Sequence, residues 1–591
     1  MRNLLLCILI LISPGLLSRD SNEDRAEIED LRKRIERLEN QNSDSGKERK
    51  LSESESTGYS SPMKGNLPKD FLKNLQLIPE HKKRVTEGNS LWISENWKLG
   101  FQLRPRLESI YNPLFYKYSK DIEKTYVSQN SQFYAIGDIS PSLAFKITFQ
   151  DTRIWGGSEL SSGLSDGRYG LSTGAGQIYT SGSGTEIPVR NSLDLREAFV
   201  LIKQPIPGLS VRIGRQILSY GDGRILGSRN FNQTGNSLDG VRIVWKNSYL
   251  SSHALGFVLS DKYNSGAILS SNSTNSSNSN QAYLGGIYNT IHVSDLFSID
   301  LYELIRSKKY IENSNSDLYD TQNRLRQWDH LYTSGIRITN RTDSKVVKSD
   351  LFLDWTLEAA FQTGFTGDRI PAGWDSWKQE IQGKPLYTER VKYDSGMAAF
   401  QSGLTFFGKF RTGIQYLQAS GDPNRSDSRD STWNPLLSIR RGAGEFPGFS
   451  AGNLGSLYSW RNIKSYSFHN SFQDSRFGKF YFIYTETYKF KEQDGWYNSG
   501  GSLNGNASTE NFSNTRYGTS YTGGKRLMTE YDFIYQKMIY DNLSLWAGMA
   551  FVYAGDSIRK VRNNPSNTDP LQRYTLKSLS NYFFFQIQFA I

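Results

Sequence analysis

The sequence concentrates charge between two apolar runs at residues 214–245, which read GRQILSYGDGRILGSRNFNQTGNSLDGVRIVW. The stretch contains four arginines, two aspartates and six glycines. A guanidinium group presents a planar fork of hydrogen-bond donors that suits carboxylates, and a neighbouring aspartate can hold such a fork in place. The residue types therefore indicate binding of anions, provided that the flanking runs enclose a watery space.

The flanking runs alternate with a period of two, as β-strands do. In residues 209–218 and 240–245, we expect the apolar side chains to face lipid: Leu209, Val211, Ile213, Ile217, Val241, Ile243 and Trp245. Arg212, Gln216 and Arg242 would then face the inside. An arginine at the lipid midplane costs about 2–4 kcal/mol, so the inward orientation is strongly preferred.

Arg215 does not fit this pattern, because simple alternation places it on the lipid side. A bulge near Gly214, or a position near the rim of the barrel, would resolve the conflict. The connection from Tyr220 to Asp239 is punctuated by glycine. We expect it to fold inward and to bring four charged side chains to a pore: Asp222, Arg224, Arg229 and Asp239.

The same period of two recurs from residue 91 to the end of the sequence. Clear examples lie at 97–108, 143–150, 351–362, 543–553 and 581–591. The last of these alternates phenylalanine and isoleucine with glutamine, as the closing strand of an outer-membrane barrel does. A soluble β-sandwich would also alternate. However, it seldom repeats the pattern over such a length with so many aromatics, so we predict an all-β transmembrane antiparallel barrel over 91–591.

The composition agrees with a barrel that crosses a membrane with strands. Aromatic residues make up 13% of the chain although the mean hydropathy is −0.56, and only alternate residues of a barrel strand need to face lipid. The formal net charge is +11. For an exported protein this charge indicates a charged lumen or an anionic surface rather than nucleic acid.

The N-terminal part divides into three predicted segments. Residues 1–18 resemble a signal peptide, with a lipoprotein signal at Cys7 as the weaker alternative. Cys7 is the only cysteine, so the mature chain would hold no disulfide. We predict a short periplasmic helix at residues 19–40, whose heptad pattern allows self-association through residues 24–40 or docking on another surface. We predict a Ser/Glu/Lys-rich linker with a short helix at residues 41–90.

Seven stretches of the sequence resemble motifs of the alginate-export family of bacterial outer-membrane barrels. The matching stretches are LRPRLE at 103–108, QDTRIWG at 150–156, LREAFV at 195–200, the 214–242 stretch, LEAAFQTG at 357–364, LQASGDPN at 417–424 and WNPL at 433–436. The resemblance implies a monomeric barrel of 18 strands, which alternation alone does not count. It also implies an arginine-rich constriction that passes an anionic polysaccharide.

Twelve residues are candidates for lining the pore or binding substrate. Ten match charged positions of the family motifs: Arg104, Arg106, Asp151, Arg153, Arg196, Arg215, Asp222, Arg224, Asp239 and Arg242. Arg212 is added by alternation. Glu358, like Asp151, is expected to hold arginines in place. The alternative for each arginine is an interstrand salt bridge within the barrel wall.

We therefore expect an outer-membrane channel for passive passage of acidic oligosaccharide or polysaccharide. The alternatives are a general diffusion porin, trimeric through the N-terminal coil, and a plugged barrel that serves as a surface adhesin or receptor. The expected partners are outer-membrane lipid, the anionic saccharide and the barrel-assembly machinery. No enzyme motif, cofactor site or metal-ligand spacing is recognised in the sequence.

Overall fold

The computed structural model is a β-barrel in which nearly every described residue belongs to a strand or to a connection between strands. The structure describes residues 92–94, 96–112, 115, 123–155, 178–179, 186–187, 192–228, 231, 233, 235, 237–260, 281–293, 297–309, 329–340, 351–371, 380–381, 384–385, 387–423, 427–437, 460–497, 524–562 and 578–591. These residues all belong to the second of two units, Met1–Gly58 and Tyr59–Ile591. The predicted signal peptide, coil and linker, and Arg229, lie outside the described residues.

Eighteen long strands form the barrel, which confirms the predicted fold class. In chain order they are β1 Trp97–Tyr111, β2 Glu123–Ser140, β3 Leu143–Ile154, β4 Ser192–Lys203, β5 Leu209–Gln216, β6 Leu238–Lys246, β7 Leu250–Ser260, β8 Gln281–His292, β9 Ser298–Lys309, β10 Asp329–Thr339, β11 Leu351–Pro371, β12 Ser395–Phe406, β13 Phe410–Ala419, β14 Ile463–Asp474, β15 Gly478–Lys489, β16 Arg526–Tyr540, β17 Leu543–Ala554 and β18 Leu579–Ala590.

Each strand pairs antiparallel with the next strand in the sequence. The last strand, β18, then pairs with β1, in a register that runs from Gln102 opposite Ala590 to Tyr111 opposite Asn581. This pairing closes the sheet. A closed sheet leaves no strand edge with unsatisfied peptide groups in hydrocarbon, which is the condition for crossing a membrane with strands.

The described residues also form short strands, two ribbons and one helix outside the eighteen strands of the wall. Trp92–Ser94 extends the sheet beside β1, and Tyr387–Tyr393 pairs with the end of β11 and with Arg429–Asp430. Two short ribbons are formed by Ile178–Tyr179 with Glu186–Ile187 and by Glu380–Ile381 with Lys384–Pro385. The helix α1 is Asp556–Arg562. Among the described residues, no helix is long and apolar enough to cross a membrane.

The two faces of the barrel wall differ in polarity as the alternation predicts. Outward side chains are apolar and exposed, such as Leu353 at 55% and Phe585 at 36%. Inward side chains are polar and buried, such as Lys146 and Gln586, each at 1%. Arginine or lysine would be costly on the lipid face, so the chain places most of its wall cations in the interior.

The two ends of the barrel differ in the length of their connections. At one end the turns are short, as at 141–142, 407–409 and 541–542. At the other end the connections are long, as at 155–191 and 420–462. In outer-membrane barrels the short turns are periplasmic and the long loops extracellular. The charged stretch at 217–237 is one of the long connections, so it begins at the loop end.

Candidate functional site

The connection between β5 and β6 folds into the lumen, as predicted. We call residues 217–237, without the undescribed positions 229, 230, 232, 234 and 236, the crossing segment. Its apolar residues Leu218, Ile225 and Leu226 are buried in the barrel's hydrophobic cluster. Ile217, which we expected to face lipid, is also buried. The expectation was wrong because β5 ends at Gln216, where alternation along the wall stops.

The crossing segment contacts both sides of the lumen. On one side Gln233 accepts a hydrogen bond from Arg104 of β1 at 3.0 Å, and its carbonyl accepts one from Asn130 of β2 at 2.6 Å. On the other side Arg224 donates to Glu358 of β11 at 2.9 Å and to Gln401 of β12 at 3.4 Å. The described residues of the segment therefore contact two sides of the interior, β1 and β2 on one side and β11 and β12 on the other.

A second inward segment, residues 431–437 between β13 and β14, joins the crossing segment. Leu226 and Leu437 form a parallel β-bridge. The Gly227 amide donates to the Leu437 carbonyl at 2.8 Å, and the Leu437 amide donates to the Ile225 carbonyl at 3.1 Å. Trp433 of the same segment is buried. Two connections that start far apart in the sequence thus support each other inside the barrel.

This junction can be tested by cross-linking. Residues paired across a β-bridge lie about 5 Å apart, within the Cα separation of about 4.4–6.8 Å that a disulfide accepts. We expect Leu226→Cys/Leu437→Cys to form a disulfide under mild oxidation, detected by peptide mass mapping, with Cys7 also replaced by serine. Leu226→Cys/Phe472→Cys is the control, because Phe472 lies on the outer face. Equal cross-linking of the two pairs would contradict the junction.

Five charged side chains form a compensated group between the crossing segment and strands β9–β11, which we call the paired cluster. Arg224 lies 2.6 Å from Asp222 and 2.9 Å from Glu358. Arg337 lies 3.1 Å from Asp222 and 3.0 Å from Asp300. All but Asp222 are buried. The structure therefore brings together three predicted residues, and it adds Arg337 and Asp300, which the sequence analysis missed.

A signal for the missed pair was present in the sequence. Arg337 lies on the inward face of β10, and in the ladder it is directly opposite Glu358 of β11. Asp300 of β9 is directly opposite Arg337. Alternation identifies the face of each residue, but the register between strands was required to place the three in one row.

A second group of inward cations follows strands β1 and β3–β6, and we call it the basic wall. Its members are Lys98, Arg104, Arg106, Lys146, Arg196, Arg212 and Arg242. Electrostatic interactions link Lys98 to Lys146, Lys146 to Arg212 and Arg196, and Arg196 to Arg104. Arg212 and Arg242 are directly opposite each other on β5 and β6. Like charges that repel each other are thus collected on one side of the lumen.

The basic wall is anchored by aromatic rings, amides and two carboxylates. Arg106 lies over the Phe231 ring at 4.0 Å and donates to Gln586 at 2.9 Å, and Arg212 lies over Phe199 at 4.3 Å. Glu108 lies 3.9 Å from Arg106 and Glu197 lies 2.6 Å from Lys146. The basic wall thus joins seven cations on neighbouring strands and includes contacts with these two carboxylates.

Two members of this wall, Lys98 and Lys146, were not among the predicted site residues. Both occupy polar positions of clearly alternating strands, at 97–108 and 143–150. The signal was therefore available in the alternation. Neither lysine belongs to a motif that resembles the family.

Four predicted residues lie apart from both groups. Arg215 is one residue from the end of β5 and shares the outer face with Ile213, since β5 is in continuous register with both neighbours. Its guanidinium pairs with Asp239 at 2.8 Å. Arg153 pairs with Asp151 at 2.7 Å near the loop end of β3, on the face opposite to buried Thr152. The conflict over Arg215 is thus resolved by a position near the rim, without a bulge.

The described part of the chain holds no group of three or more His, Cys, Asp or Glu residues placed to bind a metal ion.

Comparisons with known proteins give one family and several distant barrels. The model of the alginate export family matches residues 96–570. The chain is similar to the outer membrane protein OprD of Pseudomonas aeruginosa, with 8% identity, a TM-score of 0.44 and coverage of 85% of this chain and 95% of that chain. It is also similar to OccAB4 of Acinetobacter baumannii, with 10% identity, a TM-score of 0.48 and coverage of 84% and 98%. No curated protein matches the sequence.

Proposed function

Since the chain belongs to the alginate-export family of outer-membrane channels, we propose that it passes anionic solutes, above all acidic oligosaccharide or polysaccharide, through its lumen. The observation that carries this proposal is the basic wall, whose seven cations lie on neighbouring strands along one side of the lumen. The positive potential along the path of a solute therefore extends over several strands rather than a single position.

The chemistry of the basic wall suits a polyanion. Arginine binds a carboxylate through two parallel hydrogen bonds, and its charge persists at any physiological pH. Between unit charges about 8 Å apart, an effective dielectric constant of about 20 gives an attraction of about 2 kcal/mol. Several such sites of moderate strength favour entry and still permit release, whereas a single deep site would trap the solute.

We assign different roles to the two charged groups. Lys98, Arg212 and Arg242, which are partly exposed, are proposed to contact the solute. The buried Arg104, Arg106, Lys146 and Arg196 are proposed to attract it through their charge. The paired cluster is proposed to hold the crossing segment in place, because its two arginines are matched by three carboxylates at salt-bridge distance. The outward pairs Arg215–Asp239 and Arg153–Asp151 are proposed to stabilise the rim.

The proposal is tested by efflux from liposomes that contain the purified barrel. We expect an oligomer of uronic acid to leave faster than a neutral oligosaccharide of equal length, because only the charged oligomer is attracted to the basic wall. Empty liposomes and liposomes with an unrelated closed barrel are the controls. Faster efflux of the neutral oligomer would indicate a general diffusion porin, and no efflux of either would indicate a plugged barrel. Both outcomes contradict the proposal.

A further inference from the structure

Two stretches singled out in the sequence, LQASGDPN at 417–424 and WNPL at 433–436, lie outside both charged groups. The first runs from the end of β13 into the next connection, and the second forms most of the second inward segment. The two stretches lie side by side. The Trp433 amide donates to the Ser420 carbonyl at 3.0 Å, and the Ser420 hydroxyl donates to the Ser431 carbonyl at 2.7 Å.

The carboxylate of Asp494, in the connection after β15, joins these stretches to its own loop. Its Oδ2 accepts hydrogen bonds from the Asp422 amide and the Thr432 hydroxyl, both at 2.8 Å. Its Oδ1 accepts from the Gly495 amide and the Tyr497 hydroxyl, both at 2.7 Å. A carboxylate has about four acceptor sites, and these four bonds occupy them. Asp494 is 0% exposed. We call Asp494 and its four donors the loop hub.

Asn462 joins the same connections a second time. Its backbone amide donates to the Ser420 carbonyl at 3.1 Å, and its side-chain nitrogen donates to the carbonyls of Lys491 and Gly495, each at 2.9 Å. Gly421 permits this approach, because a Cβ there would overlap the Asn462 side chain. The connections after β13 and β15 are therefore built as one unit at the loop end.

The second inward segment continues from the loop hub into the lumen. The Asn434 amide donates to the side-chain oxygen of Gln362 at 2.9 Å, and the Gln362 nitrogen donates to the Asn434 carbonyl at 2.8 Å. Gln362 is a buried residue of β11. Beyond it, Leu437 forms the bridge with Leu226 of the crossing segment. The segment is thus fixed by the loop hub at one end and by contacts inside the lumen at the other.

Given the proposed passage of solute through the lumen, we infer that Asp494 is a positioning residue, which holds the second inward segment in the lumen and thereby limits the conductance of the channel. Each oxygen of Asp494 accepts one backbone amide, which can only donate. In Asp494→Asn, the new side-chain nitrogen therefore faces the amide of Asp422 or of Gly495 in either orientation. A buried donor without an acceptor is costly, so the segment should leave its place more often.

The test is single-channel recording of Asp494→Asn in potassium chloride. We expect the time spent in a higher-conductance level to rise about tenfold, as an unsatisfied buried amide shifts an equilibrium. Asp556→Asn is the matched control. Asp556 also accepts two backbone amides, from Lys525 at 3.2 Å and Arg526 at 2.8 Å, but it lies at the start of α1. This control should record as the wild type does.

Two further measurements separate positioning from general stability. In the Leu226→Cys/Leu437→Cys chain, with Cys7 replaced by serine, oxidation should return the Asp494→Asn channel to the wild-type level, and reduction should release it again. In a Leu436→Cys chain, also with Cys7 replaced by serine, Asp494→Asn should raise the rate of thiol labelling about tenfold. Labelling needs no conduction, so it tests the position of the segment even if the proposed function fails.

Thr432→Val is the milder variant, because it removes one hydroxyl of the loop hub with little change in size. It should fold if Asp494→Asn does not, and it should change conductance and labelling in the same direction by a smaller factor. A higher-conductance level that is equally rare in the wild type and in both variants would overturn the inference. So would a level that oxidation of the cysteine pair leaves unchanged.

Discussion

Replacing Arg212 and Arg242 together by glutamine is expected to lower the anion-over-cation permeability ratio by about tenfold at ~0.1 M salt. The two side chains are directly opposite each other on β5 and β6 and belong to the basic wall. Each charge contributes about 2 kcal/mol at about 8 Å under an effective dielectric constant near 20, and salt screens part of this. The measurement is the reversal potential of single channels in a planar bilayer under a salt gradient.

The matched control also removes two positive charges, but from the outer face of the wall. Arg153→Gln/Arg215→Gln breaks the pairs with Asp151 and Asp239 but leaves the basic wall intact. We expect its permeability ratio to stay within about twofold of the wild type, since salt screens charges beyond about 10 Å. If the control lowered the ratio as much as the inward variant does, the sidedness of the arginines would be contradicted.

Replacing Arg224 by methionine is expected to lower the free energy of unfolding by about 3–5 kcal/mol, because it leaves buried carboxylates without their partner. Arg224 lies 2.6 Å from Asp222 and 2.9 Å from Glu358. Asp222 would retain its pair with Arg337, whereas Glu358 would lose its ion pair with Arg224 and retain the hydrogen bond from Tyr302 at 3.3 Å. Urea unfolding of the barrel in lipid vesicles measures the loss.

The double variant Arg224→Met/Glu358→Met distinguishes the loss of an ion-pair partner from the loss of side-chain packing as the cause of the instability. Replacing both partners of a buried pair by apolar residues is often close to neutral, so the double variant should be more stable than the single one. Arg429→Met is the surface control, because its pair with Asp394 at 3.4 Å is exposed and should be worth at most about 1 kcal/mol. A double variant as unstable as Arg224→Met would contradict the assigned role.

The faces of the wall could be predicted from the sequence because alternation is a local property of a strand. In β18 the outward phenylalanines at 583 and 585 and the inward glutamines at 586 and 588 lie as the pattern indicates. Alternation was also correct for Arg215, which it placed on the outer side. The count of eighteen strands is implied by the family resemblance, since alternation alone does not count the strands.

The partners of the inward charges could not be predicted, because they depend on register and on loop paths. Arg337 meets Asp222 only because the crossing segment leaves the wall after Gln216 and enters the lumen. Nothing local in GDGR at 221–224 specifies which strand it will reach. The same applies to the bridge between Leu226 and Leu437, whose residues are separated by more than two hundred positions.

The clustering of cations on one wall also depends on the order of strands around the barrel. Each of Arg104, Lys146 and Arg212 is an ordinary inward polar residue in its own strand. Their proximity follows once β1–β6 are placed side by side, which alternation alone does not provide. The separation of a cation-rich wall from a compensated cluster is therefore a property of the folded barrel.

The most direct test of anion passage is the reversal potential of the wild-type channel in a planar bilayer under a tenfold gradient of potassium chloride, followed by addition of sugar acids. We predict a reversal potential with the sign expected for a chloride-selective channel. We also predict that the chloride current falls when galacturonate or its oligomers enter the lumen. A potential of the sign that potassium permeation gives, unchanged by sugar acids, would contradict anion passage.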